Sequence, residues 1–373
     1  MKFTANSKEF EKLLAKVIPA APQRTPMQIL ENFLFTVEGG SLTVMATDLE
    51  ISLSAAMDVG ADEDASFAVP AKLLHDFVRT LGDASIEFST TSDDRLRLKT
   101  DFGEYAIAYQ PPDEFPKAPE RENDGEIVLD GKRLRRAFEK TSFAISREAM
   151  RPAMTGELVE LSDEGMRFVA TDGLRLARYH DPNVTFDGAR QLVIPEKAVV
   201  ALQKLVGDGE AKMTFGETIV SFDLGDLTMT SRLIKHRYPD YNSVIPLANE
   251  NEMTIKRSEL SATVKRMSLF SSSSFQQVRL TIDKDNLKVS ARDQDKGSNA
   301  EENITCAYNG DPMEIGFNSG YLADALSHFD ADEATFKMHS PTKAAIIVPA
   351  DPDAEGAEDL LMLLMPMRLN EDR

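Results

Sequence analysis

The sequence predicts an α+β fold built from three similar domains, each with two helices packed on antiparallel sheets. The chain has 373 residues and a mass of 41.3 kDa, so it is too long to fold around a single hydrophobic core. One pattern also occurs three times along the chain: an amphipathic helix, an alternating strand passage and a second helix. With 42% hydrophobic and 28% charged residues, the composition is that of an ordinary globular protein.

The first helix of each copy is predicted from apolar residues that recur every three or four positions. Residues 7–18 have such an apolar face, and Asn6 with Glu9 forms a capping box in front of it. The corresponding helices are expected at 130–142 and 256–268. Each copy is therefore expected to begin with a helix that buries one face.

The alternating strand passage of each copy ends in a related phrase. The phrases are LTVMATDLE at 42–50, MRFVATDGL at 166–174 and LKVSARDQD at 287–295. Alternation with a period of two predicts half-buried strands. One aspartate lies at the same place in each phrase, at Asp48, Asp172 and Asp293, where a turn or capping role is expected rather than an active site.

A second helix follows in each copy, at 70–81, 195–206 and 319–329. Pro70 and Pro195 are expected at the first helical position, where no amide hydrogen is needed, and Asn318 is expected at the N-cap. Polar, acidic segments separate the copies and suit linkers. The sequence therefore predicts domains at 1–122, 126–247 and 250–373.

The net charge of −20 argues by itself against a nucleic-acid partner, yet the positive charge is concentrated in the predicted helices. On the first and third of these helices, basic residues recur every four positions opposite the apolar face. No aromatic residues are interleaved with them, so contact with phosphates rather than with bases is expected. The helix residues expected to contact DNA are Lys8, Lys12, Lys16, Lys72, Arg79, Lys132, Arg136, Lys140, Lys197, Lys204, Lys265 and Arg266. The alternative to DNA contact is that these side chains only solvate the outer faces of the helices.

Four further phrases resemble a known family in their order and separation. They are VATDGLRLA at 169–177, RYPDYNSVIP at 237–246, MEIGFNSGY at 313–321 and MPMRL at 365–369. Over essentially its whole length the chain resembles the β subunit of bacterial DNA polymerase III, the sliding clamp. The resemblance implies a head-to-tail homodimer that closes into a ring around duplex DNA without sequence specificity.

The resemblance also implies which partners and residues are involved. The partners would be duplex DNA, a second copy of the chain, the replicative DNA polymerase, the clamp loader and other proteins with a clamp-binding peptide. Ile107 would meet Leu269 and Phe270 across the dimer interface. Arg24, which matches a family position near DNA, and Arg147 complete the set expected to contact DNA.

In this family a partner peptide binds a pocket between the second and third domains. Position by position, the pocket would comprise Arg151, Met154, Thr171, Gly173, Leu174, Arg175, Leu176, Pro239, Val244, Asn318, Tyr321, Thr342, Leu363, Met365, Pro366, Met367 and Arg368. The family commonly has His where this chain has Leu174, which indicates a more apolar pocket here. Pro152 and Ala153 replace aromatic residues often seen beside Arg151.

No enzymatic activity, cofactor or metal is expected. The sequence contains no phosphate-binding loop, nucleophile elbow or HExxH motif, and its single cysteine, Cys306, cannot form an internal disulfide. No membrane segment or signal peptide is apparent, so a cytoplasmic location is expected. The alternatives are an enzyme for a cationic or sugar substrate, with paired carboxylates, and a repeat scaffold that binds only proteins.

Overall fold

A computed structural model describes residues 1–351 and 358–369. Within them the chain forms two compact units, residues 1–135 with 200–233 and residues 136–199 with 234–351 and 358–369. In the described residues no helix is both long enough and apolar enough to span a membrane. The elements repeat in three successive copies along the chain.

The first copy supplies eight strands and two helices. They are β1 (Lys2–Asn6), α1 (Ser7–Val17), β2 (Asn32–Glu38), β3 (Ser41–Thr47), β4 (Ile51–Asp58), β5 (Ala65–Pro70), α2 (Ala71–Arg79), β6 (Ser85–Thr90), β7 (Arg95–Thr100) and β8 (Gly103–Ala108).

The second copy has the same order of elements. They are β9 (Gly125–Asp130), α3 (Gly131–Thr141), β10 (Gly156–Ser162), β11 (Gly165–Thr171), β12 (Arg175–Asp181), β13 (Arg190–Pro195), α4 (Glu196–Leu205), β14 (Glu210–Phe215), β15 (Ile219–Asp223) and β16 (Leu227–Arg232).

The third copy adds one short strand to this order. Its elements are β17 (Asn251–Lys256), α5 (Arg257–Ser268), β18 (Gln277–Asp283), β19 (Asn286–Asp293), β20 (Ser298–Thr305), β21 (Ala307–Tyr308), β22 (Met313–Asn318), α6 (Ser319–Ser327), β23 (Glu333–Met338), β24 (Ala345–Pro349) and β25 (Asp359–Leu364). The six α-helices of the described residues thus lie at the six predicted positions.

All strand pairs within these elements are antiparallel, and the second copy divides its strands between two sheets. In the first unit the sheets have the orders β1-β6-β7-β8 and β5-β2-β3-β4-β16-β15-β14-β9. In the second unit the orders are β13-β10-β11-β12-β25-β24-β23-β17-β21 and β20-β19-β18-β22. The predicted combination of helices with antiparallel sheets is confirmed.

Helix α1 illustrates how one apolar face builds the core. Phe10 is fully buried, with its ring centroid 4.8 Å from that of Phe88 and 6.1 Å from that of Phe35. The Asn6 side chain accepts hydrogen bonds from the amides of Lys8 and Glu9, as an N-cap does. The Glu9 carboxylate binds Lys12, so half of the predicted capping box is present.

Two details of the helix starts differ from the prediction. Pro70 and Pro195 are the last residues of β5 and β13, and α2 and α4 begin one residue later. Pro70 has a ψ of 109°, an extended value that the first helical residue would not adopt. Asn318 does cap α6, since its side chain accepts from the amides of Gly320 and Tyr321.

The three repeated aspartates make the same turn. Each carboxylate accepts hydrogen bonds from the amides two and three residues ahead, at distances between 2.8 and 3.2 Å. Asp48, Asp172 and Asp293 are therefore turn residues, as predicted, because these bonds fold the chain back between neighbouring strands.

Candidate functional site

Basic side chains in the first turns of α1, α2 and α3 are exposed and paired with nearby carboxylates. Lys8 lies 3.0 Å from Asp83, and Lys132 lies 3.6 Å from Asp208. Exposed ion pairs of this kind contribute little to stability, so phosphate could replace the carboxylates at small cost. The exposed members of the predicted DNA-binding set are Lys8, Lys12, Arg24, Lys72, Arg79, Lys132, Arg147, Lys197, Lys204, Lys265 and Arg266.

On α1 and α3 the later residues of the basic row are less exposed than the first. Lys16 on α1 is half-buried and binds Asp226. Arg136 on α3 is half-buried between Asp330 and Glu358, and the Glu358 carboxylate raises its pKa. Residues eight positions apart are rotated by about 80° around a helix, because 3.6 residues make one turn. A row that begins in solvent therefore approaches the buried face two turns later.

The prediction that Lys140 faces DNA is wrong. Its side chain is only 6% exposed, its ammonium donates to the His328 carbonyl oxygen, and carboxylate oxygens of Asp330 and Glu358 lie 3.3 and 3.5 Å away. Lys140 is the last of its row, at the end of α3, and all its hydrogen-bonding capacity is directed at residues that follow α6. It is a buried structural cation.

The C-terminal run meets the turn that follows β11. The Met365 amide donates to the Leu174 carbonyl oxygen at 2.8 Å, directly after the register in which Leu176 lies opposite Leu363. Leu176 and Leu363 are buried in one apolar cluster, whereas Leu174 is 54% and Met365 41% exposed. The exposed side chains of Leu174 and Met365 thus lie beside the buried apolar cluster that contains Leu176 and Leu363.

Gly173 shows why this turn needs a glycine. Its φ is +89°, and a Cβ there would lie 2.6 Å from the Nη1 atom of Arg151 and 3.7 Å from the methyl group of Met154. Thr171 fixes the same turn, because its hydroxyl donates to the Arg175 carbonyl oxygen and accepts from the Gly173 amide. The structure therefore brings these five predicted pocket residues together.

Arg175 and Tyr321 lie on the other side of the surface that Leu174 and Met365 begin. The Arg175 guanidinium lies over the Tyr321 ring, 4.5 Å from its centroid, and over the Phe143 ring at 5.3 Å. Burial and the Asp172 charge raise the pKa of the Tyr321 phenol. No pattern in the sequence pointed to Phe143, which only the fold brings to this place.

Only some of the remaining predicted pocket residues have contacts that tie them to the C-terminal run and the start of α6. Met367 pairs with Gly316, and the Arg368 carbonyl oxygen accepts from the side chain of Gln277, the residue opposite Asn318 in the sheet. Pro366 follows Met365 and is half-buried. Pro239, Val244 and Thr342 are exposed in the same unit, Val244 as the last residue of a short 3-10 helix, and no described contact links them to Leu174, Met365 or Tyr321.

The predicted dimer residues differ in exposure. Leu269 is 78% and Phe270 39% exposed at the end of α5, whereas Ile107 on β8 is only 8% exposed. More accessible apolar side chains near Ile107 are Phe102, which is 71% exposed, and Tyr105, whose ring packs on Phe77 at 4.5 Å. The alternation along β8 could have pointed to Tyr105, which lies two residues from Ile107 on the same face.

Comparison with known proteins matches nearly the whole chain to one family. Residues 1–119, 128–240 and 242–368 match the N-terminal, central and C-terminal domains of the DNA polymerase III beta subunit. The beta sliding clamp of Pseudomonas aeruginosa is 29% identical over 99% of this chain and 100% of the relative, and that of Escherichia coli is 27% identical over 99% and 100%.

Solved structures give the same result. The crystal structure of the Pseudomonas aeruginosa DNA polymerase III beta subunit has a TM-score of 0.93 at 30% identity, covering 99% of this chain and 100% of the other. A sliding clamp from Bartonella birtlesii, bound to griselimycin, has a TM-score of 0.93 at 32% identity with the same coverage. The three-domain fold is therefore shared with these proteins.

Proposed function

We infer that this chain, which belongs to the DNA polymerase III beta-subunit family, is a sliding clamp that makes the replicative polymerase processive. The strongest support is that the three domain types of that family match this chain in order, over residues 1–119, 128–240 and 242–368. The clamp encircles duplex DNA without reading its sequence and tethers partner proteins to it.

The DNA-facing surface is proposed to consist of the exposed basic residues on the helices. Their charge contrasts with the net charge of −20 for the whole chain. Lysine and arginine contacts with phosphates give a sequence-independent, salt-sensitive attraction, which suits a ring that must move along DNA. Lys140 is left out of this proposal because it is buried.

The ring is proposed to be a head-to-tail homodimer. Strand β8 is an edge of the four-stranded sheet in the first unit, and β20 is an edge of the four-stranded sheet in the second. Exposed strand edges are surfaces for pairing, and Leu269, Phe270, Tyr105 and Phe102 would supply apolar area beside them. Ile107 would contribute little area, since it is already covered by its own domain.

The partner-binding site is proposed to be the surface around Leu174, Met365 and Tyr321. Exposed leucine and methionine side chains adapt to different peptides, and the aromatic ring gives a rigid wall. The clamp structures bound to griselimycin support a ligand site on members of this family. The replicative polymerase, the clamp loader and other proteins with a suitable peptide would share this site.

Three finer points complete the proposal. The chain acts as an accessory subunit with no catalytic site of its own, and it works in the cytoplasm. Its domains are bounded at 1–122, 126–247 and 250–373. Limited proteolysis, followed by mass spectrometry of the fragments, should cut first in the segments that precede β9 and β17.

The solution mass tests the proposed ring. Light scattering should give twice the 41.3 kDa of one chain, and Leu269→Glu should shift the mass towards one chain, because it introduces a charge into the apolar contact. Val128→Glu on β9 is a matched control, since Val128 is also an exposed apolar residue, and it should leave the dimer intact. A monomeric wild-type protein at micromolar concentration would contradict the proposal.

A further inference from the structure

Each of the three guanidinium nitrogens of Arg175 donates one hydrogen bond. The Nε atom donates to the Asp172 carboxylate at 3.0 Å, Nη1 to the Asp324 carboxylate at 2.6 Å and Nη2 to the Phe143 carbonyl oxygen at 2.7 Å. The side chain is only 13% exposed. A planar fork with three separate acceptors has one orientation, so the face that Arg175 presents to Tyr321 is fixed.

Asp324 stands one helical turn after Tyr321 on α6. Residues three positions apart lie on the same helix face, so the ring and the carboxylate both reach Arg175. The backbone of Tyr321 is fixed separately by the Asn318 side chain at the start of the helix. The cap thus holds the Tyr321 backbone at the start of the helix, while the Tyr321 ring contacts the Arg175 guanidinium.

His328 extends the same arrangement. Its ring stacks on Phe143 with centroids 4.2 Å apart and an interplanar angle of 16°, and its Nδ1 atom lies 2.7 Å from the Asp324 carbonyl oxygen. Phe143 is therefore packed between the end of α6 and Arg175. The acceptor for Nη2 cannot move without disturbing this stack.

We propose that Asp324 is a positioning residue for the partner pocket: it directs the Arg175 guanidinium onto Tyr321 and so fixes the aromatic wall before a peptide arrives. This inference rests on the proposed function, because it assumes that Tyr321 contacts the peptide. Asp324 itself need not touch the ligand. Preorganisation of this kind raises affinity by lowering the ordering cost of binding.

Griselimycin is a suitable probe, and its affinity can be measured by titration calorimetry. Asp324→Asn keeps the size of the side chain but removes its charge, and it should weaken binding about tenfold. Asp359→Asn is the matched control: Asp359 pairs with Arg178 on the same strand as Arg175, at 3.3 Å, and should leave the affinity unchanged. Arg175→Lys should weaken binding as much as Asp324→Asn, because an ammonium cannot serve three separated acceptors and a ring.

A spectroscopic readout separates positioning from general destabilisation. The chain contains no tryptophan, so Tyr321→Trp creates a single reporter at the wall. Adding Asp324→Asn should increase acrylamide quenching of that tryptophan while the thermal unfolding midpoint stays within about 2 °C, whereas adding Asp359→Asn should change neither.

The two proposals fail in different ways. If the wild-type chain does not bind griselimycin, the pocket itself is wrongly assigned. If it binds griselimycin, and Asp324→Asn binds equally tightly with unchanged quenching, the pocket stands and the positioning role of Asp324 is refuted.

Discussion

The carboxyl group of Glu157 lies 2.5 Å from the Thr141 hydroxyl oxygen, and both residues are fully buried. The same hydroxyl lies 2.8 Å from the Ala137 carbonyl oxygen. A hydroxyl has one hydrogen to donate, so a protonated carboxyl can supply the second bond. Burial raises the pKa of Glu157 well above its usual value, which agrees with a neutral acid in the core.

This buried acid predicts a pH-dependent stability. A raised folded-state pKa means that the folded chain binds a proton more tightly than the unfolded chain does. The stabilising contribution is therefore fully present below the unfolded pKa and is lost as pH rises through the folded pKa. Glu157→Gln, which is always neutral, should raise the free energy of unfolding by about 1 to 3 kcal/mol at pH 8 and by much less at pH 4.

Denaturant unfolding at both pH values measures this difference. Glu160→Gln on the same strand is the control, because Glu160 is only partly buried, and it should show no comparable dependence on pH. Equal stability of wild type and Glu157→Gln at pH 8 would show that the carboxyl is accommodated in its charged form.

The exposed helix lysines should govern DNA binding. Replacing Lys8, Lys12 and Lys132 with Glu should weaken retention on duplex DNA and reduce the slope of log affinity against log salt by about 0.9 for each phosphate that is no longer neutralised. All three side chains are largely exposed, so the unfolding midpoint should change little.

A matched triple variant on the sheets supplies the control. Lys2, Lys212 and Lys288 lie on strands, are exposed or half-exposed, and each pairs with a glutamate. Changing these three to Glu alters the net charge by the same amount. If the sheet variant weakened DNA retention as much as the helix variant, net charge rather than the helix surface would explain the binding.

Lys140 should matter for stability instead. Lys140→Ala removes the cation shared by Asp330 and Glu358 and should lower the free energy of unfolding by about 2 kcal/mol, less than for a fully buried pair, because Asp330 is 60% exposed. Lys132→Ala on the same helix should cost less than about 0.5 kcal/mol. Thermal or denaturant unfolding of the two variants compares them directly, and equal costs would mean that the buried cluster contributes nothing.

The exposed apolar pair should govern peptide binding. Leu174→Ala and Met365→Ala should each weaken griselimycin binding about tenfold, since each would remove apolar area buried by the ligand. Met150, which is 86% exposed on the nearby loop, provides the control variant Met150→Ala. Point substitutions are cleaner than removing residues 365–369, because the Met367 amide also pairs with Gly316 and its removal would disturb the sheet. If Leu174→Ala and Met365→Ala both left the affinity for griselimycin unchanged, the peptide site would not lie at these two residues.

Local sequence pattern predicted the repeated framework because helix periodicity, caps and turns depend on neighbours in the chain. The six helices and the turns at Asp48, Asp172 and Asp293 follow from such neighbours. Lys140 could not be placed in this way, since its burial depends on His328 and Glu358, far away in the sequence. Phe143 and Asp324 were missed for the same reason, because only the fold brings them into contact with Arg175.

The central claim is topological: a closed ring stays on DNA because it surrounds it. After loading onto nicked circular duplex DNA by the clamp loader of the same organism, the chain should coelute with the DNA on gel filtration at a moderate salt concentration of about 0.15 M. Cutting the circle once with a restriction enzyme should release it, because the ring slides off the ends. Equal retention on circular and linear DNA would contradict encirclement and indicate ordinary surface binding.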